Sequence, residues 1–156
     1  MKLKRHKFNT TIGKIVMYLM QWTWGIFQNL LGLLLLLCIR HKTLHHFHGA
    51  VIVEYPAQKF KQLGAFTLGM FIFCNDPDPE TKQNLLTHEY GHTIQSIIYG
   101  PFYIPLVGFC SLRWAHTYSK NREQFNAANI FYTDKYPEKQ ANYWGEKILG
   151  QRGIYW

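Results

Sequence analysis

The longest apolar pattern in the chain runs from Ile15 to Ile39, 25 residues without a charge. As one helix it would extend about 37 Å, enough to cross a bilayer with some tilt. Tyr18, Trp22 and Trp24 lie within it, and Lys14 and Arg40-His41-Lys42 close its ends, as at a membrane boundary. The apolar core is too long for a secretory signal peptide, and it ends in five leucines, Cys38, Ile39 and Arg40 rather than a small-residue cleavage site. The pattern therefore predicts a retained transmembrane helix over 15–39, with a buried core helix as the other reading. Gln21, Gln28 and Asn29 interrupt the run. Polar groups inside a membrane helix face protein rather than lipid, so they are expected to dock against another segment or to lie near an interface.

Beyond residue 40 the pattern shortens. Gly49–Tyr55 reads as a strand ending at Pro56, and Gly64–Cys74 as a second strand, with Lys59–Gln62 as the turn between them. Asn75-Asp-Pro-Asp-Pro79 reads as a turn that starts a helix, which runs from about Glu80 to Tyr99 and stops at Gly100-Pro101. Thr93–Leu112 is a second uncharged stretch, of 20 residues, broken by Gly100, Pro101, Pro105 and Gly108. Those breakers argue against a straight span and for a re-entrant or interfacial segment. Residues 113–137 are polar and mixed, and Glu138 to about Leu149 reads as a last helix. The expected class is α+β: a transmembrane helix over 15–39 and a mini-domain over 40–156 with short strands and two important helices.

The net charge of +8 is uneven. Residues 1–14 hold five Lys/Arg and no acid, whereas the rest holds twelve Lys/Arg against nine acids. The basic part is a tail that suits membrane orientation or anionic lipid. Nucleic-acid binding is not expected, because no nucleic-acid module is visible. Cys38, Cys74 and Cys110 form no C-x-x-C pair, which excludes a sulfur-based metal site of the usual spacing. His41, His45, His46 and His48 form a histidine-rich stretch without carboxylate or cysteine company, better read as a juxtamembrane polar loop than as a metal site.

The chemistry is carried by His88-Glu89-Tyr90-Gly91-His92. Positions i and i+4 share a helix face, so His88 and His92 can turn their imidazoles toward one metal ion. Glu89 is placed to act as general base on a water at that ion. Gly91, a poor helix former, would let another backbone come close. The third ligand must come from downstream, where Glu123, Asp134, Glu138, Glu146 and His116 are available. Glu138 and Asn142 are four apart on one helix face, so Glu138 is the preferred ligand and Asn142 the candidate partner for the far nitrogen of a ligand histidine. Asp134 is the alternative ligand. Arg113 and His116 are candidates to stabilise an oxyanion.

The stretches Thr87–Ser96 and Tyr99–Gly108 resemble a family of small bacterial membrane proteins that pair an N-terminal hydrophobic helix with an H-E-Y-G-H helix. Gln28–Gly32 and Leu68–Phe73 are similar to it as well, so the resemblance covers roughly residues 22–145. More widely, the pattern resembles the gluzincin metallopeptidases. That resemblance implies a zincin-like domain, a zinc cofactor, a glutamate on a later helix as third ligand and an acid four residues beyond it supporting a histidine. Three departures stand out: Phe27 replaces an expected proline, Asn142 replaces the expected acid, and Asp134 stands where the family usually has glutamate. The last keeps Asp134 open as a ligand, and Asn142 leaves an inactive member open.

The expected function is zinc-dependent peptide-bond hydrolysis at a membrane, with His88, His92 and Glu138 (or Asp134) on zinc and Glu89 as base. The alternative is a non-enzymatic membrane protein that binds metal or serves as a scaffold. Membrane lipid and a peptide or protein substrate are the expected partners. A chain this short also leaves room for a second protomer or a membrane partner to complete the cleft. The bacterial inner membrane is the expected location. Five Lys/Arg before the apolar run against four in the 22 residues after it lean toward an inside N-terminus. The strand at Phe66–Phe73 reads either as an ordinary core strand or as an edge that pairs with extended substrate.

Overall fold

The computed structural model describes residues 11–56 and 64–155. Most of the basic tail and the Lys59–Gln62 turn lie outside the described residues. The architecture is α+β, with six α-helices and one four-stranded sheet among the described residues.

The N-terminal apolar run is not one helix. It forms α1 (Thr11–Thr23) and α2 (Ile26–Cys38), which meet at 90° around Gly25. No single helix among the described residues is long and apolar enough to cross a membrane, although the bent pair passes on length and composition together. The bend follows from the polar residues that interrupt the run. Gln21 Nε2 donates to Thr93 O at 3.1 Å, and Gln28 Nε2 donates to Ser96 Oγ at 2.8 Å and Gly100 O at 3.1 Å. Asn29 Nδ2 donates to Gln21 Oε1 at 2.9 Å and to Gly25 O at 3.0 Å. All three side chains are fully buried. A straight helix would leave part of this set without partners, a cost of about 1–3 kcal/mol per buried group. Docking against another segment is thus the reading the structure bears out, and the partner is α3 (Pro79–Tyr99).

The sheet has strand order β1-β2-β4-β3, from β1 (Thr43–Phe47), β2 (Ala50–Glu54), β3 (Ala65–Leu68) and β4 (Phe71–Cys74). β2 runs parallel to β4, and the outer strands are antiparallel to their neighbours. β1 was expected to be polar loop; His45 and His46 sit in it on an exposed edge strand. The predicted single strand over Gly64–Cys74 is instead a hairpin. Gly69 takes φ +63°, and the Asn29 Oδ1 acceptor caps the Met70 N–H at 2.8 Å. A Cβ on Gly69 would lie 2.2 Å from that oxygen. The turn therefore depends on a partner far upstream, which no local pattern announces.

α3 starts where expected, with Asp78 capping Glu80 N–H and Pro79 in the first turn. After it, a 3-10 turn over Gly100–Phe102 and a π turn over Ile104–Gly108 lead into α4 (Phe109–Lys120) and α5 (Arg122–Ala127). The predicted re-entrant or interfacial stretch thus spans the end of α3, these turns and the start of α4, with Phe102, Leu106, Phe109 and Leu112 exposed along it. The last helix, α6 (Glu138–Leu149), matches its predicted bounds.

α3 and α6 touch backbone to backbone. A Cβ on Gly91 would lie 1.8 Å from Ala141 O, and one on Gly145 would lie 2.0 Å from Thr87 O. The reading of Gly91 as a site of close backbone approach holds, and Gly145 is its counterpart on the other helix. Gly145→Ala is expected to destabilise the fold by about 1–3 kcal/mol through overpacking. Gly108→Ala, where a Cβ meets nothing within 4 Å, is expected to stay within about 0.5 kcal/mol of the parent. Denaturant unfolding of both variants checks the contrast, and equal effects would deny the helix contact.

Candidate metal centre

The close α3–α6 contact brings Glu138, in the first turn of α6, against the middle of α3. His88 Nε2 lies 2.9 Å and His92 Nε2 3.1 Å from Glu138 Oε2. One ligand atom from each of the three residues falls within 4.8 Å of the others, and all three residues are buried. This His-His-Glu group can hold a metal ion. Asp134 does not join it: its carboxylate is exposed and accepts the Phe131 N–H at 2.8 Å, closing its own 3-10 turn. Among the two carboxylates left open by the sequence, Glu138 is the one beside the histidines.

The far sides of the imidazoles decide their protonation. His88 Nδ1 is 2.9 Å from Asn142 Oδ1, and His92 Nδ1 is 2.7 Å from Gln95 Oε1. Both amides are oriented by other bonds. Asn142 Nδ2 donates to Ile154 O while its Oδ1 accepts from Ile154 N. Gln95 Nε2 donates to Pro137 O at 3.0 Å and Gln140 Oε1 at 2.9 Å. Each amide thus presents oxygen to its ring, and each ring carries its proton on Nδ1. The neutral rings then aim two Nε2 lone pairs at one oxygen of a buried carboxylate. Such an arrangement is untenable without positive charge at its centre. A proton or a metal cation supplies that charge, and the donor set of two imidazole nitrogens and a carboxylate oxygen suits a divalent ion. Glu138 Oε1 is also buried and finds no hydrogen bond of ordinary geometry.

With a proton as the charge, burial works against the cation on His92. The Glu138 carboxylate outweighs burial and raises the pKa from 6.5 to about 9. Burial likewise opposes the Glu138 anion, but the charge on His92 beside it holds it well below the usual carboxylate range.

Glu89 faces the same space from α3. The Thr67 hydroxyl on β3 donates to Glu89 Oε2 at 2.7 Å, and the Tyr103 hydroxyl donates to Thr67 O at 3.2 Å. A cleft of about 910 Å³ opens over the group. It runs along β3, the end strand of the sheet, and its opposite wall is the π turn and α4, with Tyr132 beside the centre. Burial first, and then the Glu138 charge, push the Tyr132 phenol far above its ordinary value, so it stays a donor. Arg113 and His116 are exposed and do not line the cleft, because they lie on the outer face of α4. The residues missed in the sequence are Thr67, Gln95, Tyr103 and Tyr132. Of these only Gln95 left a signal, being three residues after His92 on the same helix face. The histidine-rich stretch around β1 forms no metal group among the described residues.

No protein family, curated protein or solved structure matches the chain.

Two outcomes follow. In metal-free protein, a His92 pKa raised from 6.5 to about 9 contributes stability that is complete below about 6.5 and is lost as pH rises through about 9. The lowered Glu138 pKa contributes stability that is complete above 4.5 and is lost as pH falls through its depressed value. Chelator-treated protein should therefore lose unfolding free energy between pH 7 and 10, and added metal should move the optimum upward because it needs unprotonated Nε2 atoms. A flat profile would contradict the paired charge. Secondly, Gln95→Ala should weaken metal affinity by about 10–100-fold, whereas Asp134→Asn should leave it unchanged, as read by competition with a chromogenic chelator.

Proposed function

We propose that the chain is a membrane-associated zinc metallopeptidase. The reading rests on one observation: two imidazole Nε2 atoms, each ring locked by an amide oxygen on its other side, converge on one oxygen of the buried Glu138 carboxylate. His88, His92 and Glu138 would hold the ion, and a zincin-like arrangement of edge strand, site helix and later ligand helix surrounds it. Bound zinc supplies a Lewis acid that polarises a carbonyl and makes water a nucleophile near neutral pH.

The protein's own groups do the rest. Glu89, held at Oε2 by the Thr67 hydroxyl, takes the proton of the attacking water and returns it to the leaving amine. Tyr132 stays protonated and offers a hydrogen bond to the carbonyl oxygen as charge builds on it. The terminal position of β3 supports backbone pairing with an extended peptide along the cleft. Asn142 gives the second reading its footing. A neutral amide holds a histidine less firmly than a carboxylate, so a metal-binding scaffold without turnover is the alternative.

The apolar outer faces of α1 and α2 support a place in lipid. Leu34 is 59% and Leu37 69% exposed, and a water-facing surface rarely carries so continuous an apolar patch. In this reading the bent pair, rather than a straight helix, seats the protein in a bacterial inner membrane.

Purified protein is expected to carry about one zinc per chain, measured by plasma emission spectroscopy. Glu89→Gln should retain that zinc and lose peptide cleavage by about a hundredfold or more. Zinc bound tightly with no cleavage of any peptide by the parent protein would favour the scaffold, and absence of zinc would remove both.

A further inference from the structure

The cleft differs from a general peptide groove in what lines it and what rims it. Outside the metal centre, the charged lining among the described residues is Asp76 and Arg122. Leu35 of α2 and Leu68 of β3 contribute to the lining, and so do Val107 of the π turn and Leu112 and Ala115 of α4. An extended chain lying along β3 turns alternate side chains to opposite sides. Elements flanking the strand contribute apolar groups from separate parts of the fold.

The rim extends the same chemistry outward. Leu35 is flanked on α2 by the exposed Leu34 and Leu37, and Val107 is flanked by the exposed Leu106 and Phe109. Leu112 belongs to both places at once: it lines the cleft and is 61% exposed. On the α4 side the cleft therefore opens onto apolar outer surface. An apolar segment already in lipid would pass from that surface into the cleft without exposing its side chains to water.

We propose that the substrate is an extended apolar polypeptide segment that enters the cleft from the bilayer, between Leu35 of α2 and Leu112 of α4. This assignment rests on the hydrolase reading for its chemistry, but the binding of such a segment can be measured without turnover. Arg122 and Asp76 are available to polar residues that flank the apolar stretch.

The test uses the full-length Glu89→Gln protein, loaded with zinc and reconstituted in vesicles of phosphatidylethanolamine and phosphatidylglycerol. Two photo-crosslinking peptides of equal length are compared, one of leucine and alanine, the other of serine, asparagine and glutamate. The apolar peptide should label residues 64–68 and 107–115, mapped by mass spectrometry, at least about tenfold more than the polar one. Leu112→Glu should lower that labelling by about tenfold, whereas Leu44→Glu, exposed on β1 at the opposite end of the sheet from β3, should leave it unchanged. Equal labelling by the polar peptide overturns the proposal, and so does labelling confined to the outer faces of α1 and α2. Correct labelling together with no cleavage by the parent protein would remove the hydrolase reading and leave the assignment of the bound segment standing.

Discussion

A buried carboxylate oxygen with two imidazole nitrogens aimed at it is the constraint around which the molecule is organised. Each partner is costly where it sits: the acid because burial strips its water, the imidazoles because their lone pairs oppose a negative charge. Only a cation reconciles them. The amides of Asn142 and Gln95 matter because they remove the easy escape. A ring free to flip its tautomer could donate from Nε2 and remain neutral, but a ring already donating from Nδ1 cannot.

Reaching that geometry requires two helices to come closer than side chains normally allow. Glycine at residues 91 and 145 lets each helix press on the other's carbonyl groups, and the sheet then supplies Thr67 to steady Glu89. The centre is thus assembled from three distant parts of the chain: the middle of α3, the start of α6 and the end strand of the sheet. Local helix propensity contributes little to this, since α3 carries three β-branched residues and a glycine between Thr87 and Ile94.

Much of this was legible in the sequence because it depends on helical spacing. The four-residue interval between His88 and His92 fixes a shared face, and the same interval between Glu138 and Asn142 placed the third ligand candidate and its helper on one helix. The bounds of α6 followed from Gly150 after Leu149. What was not legible depends on distant partners. A run of 25 uncharged residues reads as one helix unless the hydrogen bonds of Gln21, Gln28 and Asn29 to α3 and β4's hairpin are known. The same absence made a hairpin look like one strand, since the cap on Met70 comes from Asn29. β1 was lost because its histidines are polar and exposed, an edge-strand composition that periodicity does not separate from loop. Asp134 and Glu138 could not be ranked by spacing alone, because a 3-10 turn can absorb one acid as its own cap.

Asn29 also has a mechanical meaning. It stands near the start of α2, grips the bend at Gly25 on one side and the Gly69-Met70 turn on the other. That turn joins directly to β3, where Thr67, two residues before Gly69, holds the Glu89 carboxylate. The bend between α1 and α2 and the Glu89 carboxylate are thus joined by a short series of hydrogen bonds and chain neighbours. A substitution at Asn29 would therefore be felt at both ends of this chain of contacts, in the bend at Gly25 and in the strand that carries Thr67.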